Sequence, residues 1–354
     1  MREEVRMEKI DIKSLSYEEL LEAIQGMGEK SFRGKQIYEW LHKKAVMEFE
    51  DMTNLSKRLR EQLSKQYYIA DLKLLDRLVS KDGSTSKFLF GLGDGSVIES
   101  VLMKYHHGNS VCISSQVGCR MGCKFCASTL GGLERNLTVS EMLGQIYAIQ
   151  NISGERVSNV VVMGTGEPMD NYDNFVKFVR MLTDEHGYHI SQRNVTVSTC
   201  GLVERIRQLA EEQFSITLAI SLHAPNDAAR KKLMPVANKY TIAEILDACD
   251  VYFTKTGRRV SFEYSLVQGV NDSAEFAREL GGLLQGKNCH VNLIPVNPIK
   301  ERDYKDSNAA FVQNFKMILE KLGINVTIRR EMGRDIDAAC GQLRRSYMKQ
   351  KEEE

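Results

Sequence analysis

Gly118-Cys119-Arg120-Met121-Gly122-Cys123-Lys124-Phe125-Cys126 sets three cysteines at C-x3-C-x2-C spacing in a polar, glycine-punctuated loop. Three clustered thiolates can hold three irons of a [4Fe–4S] cube, and a run with no fourth cysteine leaves the last iron open to a substrate. An iron with an open position does chemistry on a ligand, whereas a fully ligated cluster mainly transfers electrons. A structural zinc site would want a fourth Cys or His at short spacing, and none follows before His186. Cys119, Cys123 and Cys126 are the candidate metal ligands, with iron–sulfur preferred over zinc.

Beyond this loop the chain alternates strand and helix. Strands are predicted at 110–115, 159–163, 194–198, 215–222, 259–266 and 290–295, with helices starting near Thr138, Tyr172, Leu202, Ala228, Ile242 and Ala274. Six such units predict a parallel sheet with right-handed crossovers. With six strands it is an open, partial (β/α)6 barrel rather than a closed one. A last helix (308–322) and strand (325–329) precede a charged tail. Before the loop, residues 1–70 read as helices. Ser16-Tyr17-Glu18-Glu19 fits a capping box, and Ile37, Trp40 and Leu41 share one face of the next helix. Strands at 86–90 and 97–103 flank Gly91-Leu92-Gly93-Asp94-Gly95, a hairpin signal. The predicted organisation is a helical domain (1–70), a β-hairpin extension (71–104), the barrel (105–345) and a tail (346–354).

In such barrels chemistry gathers at the C-terminal ends of the strands. Gly164-Thr165-Gly166-Glu167-Pro168 follows strand two, Ser198-Thr199-Cys200-Gly201 strand three, Ser221-Leu222-His223 strand four and Asn297-Pro298 strand six. Gly164 and Gly166 let backbone approach a ligand closely. Glu167 could accept a hydrogen bond from an α-ammonium, and Ser198, Ser221, His223 and Asn297 suit a ribose and a carboxylate. Gly166, Glu167, Ser198, Ser221, Leu222, His223 and Asn297 are the candidate cofactor-binding residues.

Composition sets looser bounds. Lysines and arginines number 48 against 47 acidic residues, a net charge of +1, so any RNA contact must come from local basic patches. The N-terminus lacks the apolar core of a signal peptide, and no apolar run approaches the length of a membrane span. Eight cysteines in such a chain predict a reducing cytoplasm, with clustered thiols serving metal or catalysis.

The cysteine spacing and the aromatic Phe125 before the third cysteine resemble the signature of the radical S-adenosylmethionine (SAM) enzymes. In that family the open iron chelates SAM and reduces it to a 5′-deoxyadenosyl radical. More specifically, Cys112-Ile113-Ser114-Ser115-Gln116-Val117-Gly118-Cys119, the loop Gly166–Asn171, and Asp335-Ile336-Asp337-Ala338-Ala339-Cys340-Gly341-Gln342-Leu343 resemble the RlmN family. Met27-Gly28-Glu29-Lys30-Ser31-Phe32-Arg33 is similar to that family's helical RNA-recognition module.

The resemblance implies methylation of adenosine C2 in 23S rRNA and tRNA, with two SAM per turnover, one as methyl donor and one as radical source. Cys340 would become S-methylcysteine, Glu99 would accept the C2 proton, and Cys112 would resolve the adduct through a transient disulfide with Cys340. It also implies an electron donor such as flavodoxin or ferredoxin, and a monomer without a membrane partner. The basic residues of the N-terminal helices, Arg329-Arg330 and Arg344-Arg345 would contact phosphates. Two alternatives stand beside it. The Cfr family shares both catalytic cysteines and methylates C8, and Pro168 with the Met27–Arg33 segment favours C2. A non-catalytic metal-containing RNA-binding or ribosome-assembly protein would have no need of Cys340.

Overall fold

A computed structural model of the chain describes residues 9–106, 108–297, 303–330 and 332–336. The predicted tail and Cys340 lie outside the described residues.

One sheet of ten strands organises the molecule, and its spatial order follows the chain. Three antiparallel strands come first: β1 (Lys73–Val79), β2 (Thr85–Gly91) and β3 (Val97–Tyr105). Seven parallel strands continue it: β4 (Gly108–Ile113), β5 (Val157–Val162), β6 (Val195–Thr199), β7 (Thr217–Ser221), β8 (Val260–Leu266), β9 (Cys289–Pro295) and β10 (Val326–Ile328). The six predicted parallel strands are all present, and Val326–Ile328 adds a seventh against β9. The predicted β-hairpin extension continues the barrel sheet. It has a third strand, β1, and β3 pairs antiparallel with β4, so it is continuous with the barrel sheet.

The helices that connect parallel strands are α4 (Val139–Ser153), α5 (Tyr172–Thr183), α6 (Val203–Glu211), α7 (Asp227–Leu233), α8 (Ile242–Thr256), α9 (Ala274–Leu284) and α10 (Ala309–Lys321). Their ends are written in local chemistry. Thr138 with Glu141, and Thr241 with Glu244, form capping boxes, and Gly154 and Gly257 end the same helices at φ +70° and +65°.

Side chains alternate across a strand, and residues paired in register share a face. One face carries Val111, Ile113, Val160, Val162, Val197, Leu218, Ile220, Phe262, Val291 and Leu293, all buried in the main core with the helices. The other face is polar, and the register follows it strand by strand. Lys87 pairs with Val101, Val101 with Cys112, Cys112 with Val161, and Val161 with Thr196. Two residues further along β6, Ser198 pairs with Ala219; then Ser221 pairs with Glu263, and Glu263 with Asn292. Glu99, two residues from Val101, is on the same face.

Before the sheet stand α1 (Tyr17–Gly26), α2 (Ser31–His42) and α3 (Lys57–Gln66). The predicted capping box is present: Glu19 N–H donates to Ser16 Oγ (3.2 Å), and Ser16 N–H to Glu19 Oε2 (2.7 Å). These helices share the hydrophobic core of the barrel. His42 Nδ1 meets Tyr147 Oη of α4 at 3.0 Å, and Lys177 of α5 pairs with Glu19 at 2.5 Å. Lys30, Lys35, Lys57 and Arg58 are exposed. Arg33 and Arg60 instead donate to the carbonyls of Asn54 and Glu50, holding the 49–54 loop to the helices.

Candidate active site at the strand ends

The cysteine loop leaves β4 through a short antiparallel pair, Gln116–Gly118 with Leu133–Asn136. Gly118 has φ +76°, and a Cβ there would stand 2.0 Å from the Gly132 carbonyl oxygen, so only glycine permits this crossing. Cys119 N–H then donates to Gly132 O (2.8 Å), and Lys124 N–H to Leu233 O at the end of α7 (2.9 Å). Thr129 Oγ1 donates to the carbonyls of Cys123 (3.1 Å) and Cys126 (2.9 Å). An ion pair between Arg120 and Asp170 ties the loop to the segment after β5.

Cys119 and Cys123 are buried, and Cys126 is partly so. Burial pushes the Cys119 thiol up to about 12, with Glu167, Cys126 and Asp170 adding to it. Burial raises Cys123 as well, helped by the charges that Cys126 and Cys119 would carry. Three thiols that oppose one another's ionisation become thiolates together only when cations offset them, so metal loading here releases protons. Beside them lies a buried cation: Arg230 acts to lower Cys123, and its Nη1 has no hydrogen-bond partner among the described residues. Three sulfurs with an underused guanidinium fit an anionic iron–sulfur cluster. Among the described residues no three His, Cys, Asp or Glu side chains gather as ligands of one metal ion. A four-iron cube asks for one sulfur per iron, not convergence on a point.

The segment after β5 has a different job from the one its glycines suggest. Gly166 has φ +111°, and a Cβ there would meet Gln116 Cβ at 2.6 Å and Gln116 N at 2.7 Å. At Gly164 it would meet the Ile113 carbonyl at 2.7 Å. The close approach is to the end of β4, not to open space for a ligand. Glu167 is likewise engaged by the protein: Oε2 accepts from Cys200 N–H (2.7 Å) and Oε1 from Met169 N–H (3.1 Å). Burial holds its carboxyl above the usual range despite these bonds. Glu167 thus braces the second strand end against the third.

Ser198 and Ser221 stand with their hydroxyl oxygens 3.2 Å apart on the polar face. Leu222 is fully buried in the core. His223 adopts a left-handed conformation (φ +55°), and its Nδ1 accepts from Ser265 N–H at 2.9 Å, which leaves the proton on Nε2. Burial, reinforced by Arg230, holds this imidazole down to about 3, so it is neutral near pH 7. Its ring meets Phe125 of the cysteine loop edge-on at 4.7 Å. Asn297 is exposed, two positions beyond β9. Five of the seven predicted cofactor residues (Gly166, Glu167, Ser198, Ser221, His223) thus meet around the same strand ends; Leu222 faces the core, and Asn297 stands apart on the rim.

Further round the polar face, Cys112 is partly exposed. Burial of its sulfur pushes the thiol up to about 11; Arg329 acts to lower it, and Glu99 to raise it. Glu99 is buried, with Oε1 3.5 Å from Lys87 Nζ. Its backbone carbonyl accepts from Ser114 Oγ (2.8 Å), and that oxygen accepts from Thr165 N–H (2.9 Å), linking Glu99 to the loop after β5. Arg329, expected on a phosphate-binding surface, instead turns toward Glu263, its Nη1 3.9 Å from Oε2.

Three residues of this site escaped the sequence reading. Arg230, fully buried, donates to the carbonyls of Cys200 (2.6 Å), Leu222 (3.2 Å) and Ser221 (3.4 Å). Glu263 accepts from Asn292 (2.8 Å) on the polar face. Lys87 had a visible signal: a lysine inside an apolar strand, one hairpin away from Glu99.

The profile of the radical SAM superfamily matches residues 113–280, and that of the ribosomal RNA large subunit methyltransferase N-terminal domain matches residues 10–69. A crystal structure of a radical SAM methyltransferase from Sphaerobacter thermophilus superposes with a TM-score of 0.91 at 42% identity, covering 94% of this chain and 98% of that one. Fold and cysteine loop together define a radical SAM protein. Among curated relatives, "Probable dual-specificity RNA methyltransferase RlmN" of Lachnoclostridium phytofermentans is 68% identical over 96% of both chains. The protein of the same name from Lachnospira eligens is 63% identical over 96% of this chain and 97% of its own. The chain belongs to the RlmN family.

Proposed function

We propose that this chain methylates C2 of adenosine in 23S rRNA and in tRNA, consuming two SAM per turnover and passing through S-methylated Cys340. The reading rests on one observation above all. Glu99 and Cys112, a buried carboxylate and a part-buried thiol, share a sheet face with Ser198 and Ser221, beside a loop of three cysteines.

Adenine C2 is not nucleophilic, so it cannot attack the methyl group of SAM; a carbon radical can add there. Cys119, Cys123 and Cys126 would hold the [4Fe–4S] cluster, which when bound supplies the electron that turns SAM into a source of hydrogen-abstracting radical. The chain's own residues do the rest. Cys340 takes the methyl group, since a thiolate is a far better acceptor than serine or lysine near pH 7. Its carbon, after losing a hydrogen atom to the SAM-derived radical, joins C2; the adduct gives up one electron, which the cluster would accept when bound, and Glu99 receives the proton that C2 must lose. Cys112 then attacks the Cys340 sulfur; the carbon–sulfur bond breaks, the carbon keeps the electron pair and takes a proton to become the methyl group, and a Cys112–Cys340 disulfide is left as the methylated base departs. Burial chiefly raises the Cys112 thiol, and the charge on Glu99 adds to it. Once Glu99 is protonated that opposition ends, so proton transfer favours the thiolate that acts next.

Ser198, Ser221, neutral His223 and the backbone at Gly166–Glu167 would bind SAM, with Asn297 at the rim. A flavodoxin- or ferredoxin-like donor would supply electrons to the monomer in the cytoplasm. The exposed Lys30, Lys35, Lys57 and Arg58 would meet RNA phosphates. The test is mass spectrometry of RNA after anaerobic incubation with SAM and reductant. The reading requires 2-methyladenosine from wild type and none from Cys340→Ala. 8-Methyladenosine would overturn the C2 assignment, and SAM cleavage with no methylated adenosine would overturn the substrate.

A further inference from the structure

Lys87 is among the largest fully buried side chains, with 1% of its side chain exposed, and it carries an ammonium on the polar face of the sheet. Its Nζ stands 3.5 Å from Glu99 Oε1, whose side chain is 5% exposed. The register explains the meeting. Lys87 of β2 pairs with Val101 of β3, Leu89 pairs with Glu99, and the lysine reaches diagonally up the shared face.

A buried ion pair is a poor device for stability, because desolvating two charges costs about as much as their attraction returns. What it does well is fix one group relative to another. Glu99 is held from two sides. Its backbone carbonyl is bonded to Ser114, and its carboxylate faces Lys87. Without the ammonium, the contact that sets the carboxylate's position on this side is lost.

We propose that Lys87 is the positioning residue for Glu99, holding its carboxylate where the C2 proton of the adenine adduct is delivered. This rests on the reading of Glu99 as proton acceptor. Before this step the radical adduct gives up its one unpaired electron, which the cluster would accept when bound; the C2–H bond then breaks, its electron pair restores the ring double bond, and the proton passes to a Glu99 oxygen. In this step Lys87 exchanges no atom and acts through Glu99. A misplaced base typically costs about a hundredfold in rate, and the loss belongs to this step alone.

The experiment is a single turnover of the reconstituted enzyme with SAM, reductant and an rRNA fragment, comparing wild type, Lys87→Met, Lys87→Gln, Lys87→Arg and Glu99→Gln. Three quantities are followed: 5′-deoxyadenosine, the covalent RNA–protein adduct on a denaturing gel, and released methylated RNA. The expected result is normal 5′-deoxyadenosine and adduct formation in Lys87→Met, with adduct resolution slowed about a hundredfold as in Glu99→Gln, and recovery of most of that loss in Lys87→Arg. A structural role would lower all three quantities together and would not trap adduct. Should Lys87→Met fail to fold, Lys87→Gln, which keeps a donor but loses the charge, is judged by the same ratio. Wild-type resolution in the folded uncharged variants, with Glu99→Gln still blocked, overturns the role of Lys87 alone. Wild-type resolution in Glu99→Gln overturns the proton-acceptor reading and this inference with it.

Discussion

Replacing Arg230 with methionine isolates the brace between two strand ends. The guanidinium bridges Cys200 O after β6 to Leu222 O and Ser221 O at the end of β7, the two loops that flank Ser198 and Ser221. Hydrogen bonds from a charged donor contribute about 1.5–3 kcal/mol each. The short bond to Cys200 and the one to Leu222 count fully, so roughly 3–6 kcal/mol of interaction is lost. Part returns because methionine carries no charge to bury; burial already holds this guanidinium below its ordinary range. The net expectation is about 3 kcal/mol, in line with breaking a buried charged network. For a chain of 354 residues that is a fall in Tm of about 4 °C, readable by differential scanning fluorimetry of the cluster-free protein. SAM affinity, measured by isothermal titration under anaerobic conditions with the cluster restored, should fall at least tenfold as the loops part. A Tm within about 1 °C of wild type, with SAM affinity unchanged, would refute the bracing argument.

Other outcomes follow from the same geometry. Gly166→Ala combines an unfavourable φ with contacts to Gln116, costing about 1–3 kcal/mol in backbone strain before any clash is relieved. It should weaken SAM binding, whereas Gly257→Ala, at φ +65° with open space around it, should cost about 1 kcal/mol and leave SAM affinity alone. Burial and Lys13 hold His42 down to about 3, below its ordinary value near 6.5. The unfolded chain therefore binds a proton that the folded chain does not between those values. Stability from this group is full above about pH 7 and falls as pH drops toward 3, by at most about 1.4 kcal/mol per pH unit. Melting curves of wild type and His42→Gln between pH 7.5 and 5 should show a flatter slope for the variant; equal slopes would contradict it. Lys35→Glu with Arg58→Glu should weaken RNA binding and reduce its salt dependence while leaving SAM cleavage unchanged; unaltered affinity would show a merely solvated face.

Much of this fold was legible because its signals are local. Apolar runs such as Val157–Val162 and Val260–Leu266, each preceded by a helix capped at Thr138 or Thr241, locate themselves to within a residue or two. Lys73–Val79 was harder to delimit: it is an edge strand, largely exposed, and its leucines at 74, 75 and 78 also suit a helix. The cluster loop was legible from spacing alone. The bracing roles were not, because they depend on backbone groups brought together only by the fold. Glu167 reads as a ligand carboxylate until Cys200 N–H is seen to occupy it. Arg230 reads as one of three basic residues on a short helix until the carbonyls of Cys200 and Leu222 converge on it. The glycines after β5 signal close approach correctly, but sequence does not say to what.

The central claim is that Cys112 and Glu99, on one face of one sheet, complete a methyl transfer that passes through a covalent RNA–protein adduct. Its most direct test is a denaturing gel of Cys112→Ala after anaerobic turnover with SAM, reductant and RNA, resolved by mass spectrometry of the shifted band. The account predicts an adduct that joins Cys340 through one carbon to adenine C2 and persists because no thiol releases it. Free methylated RNA released from Cys112→Ala at the wild-type rate, with no shifted band, would contradict it.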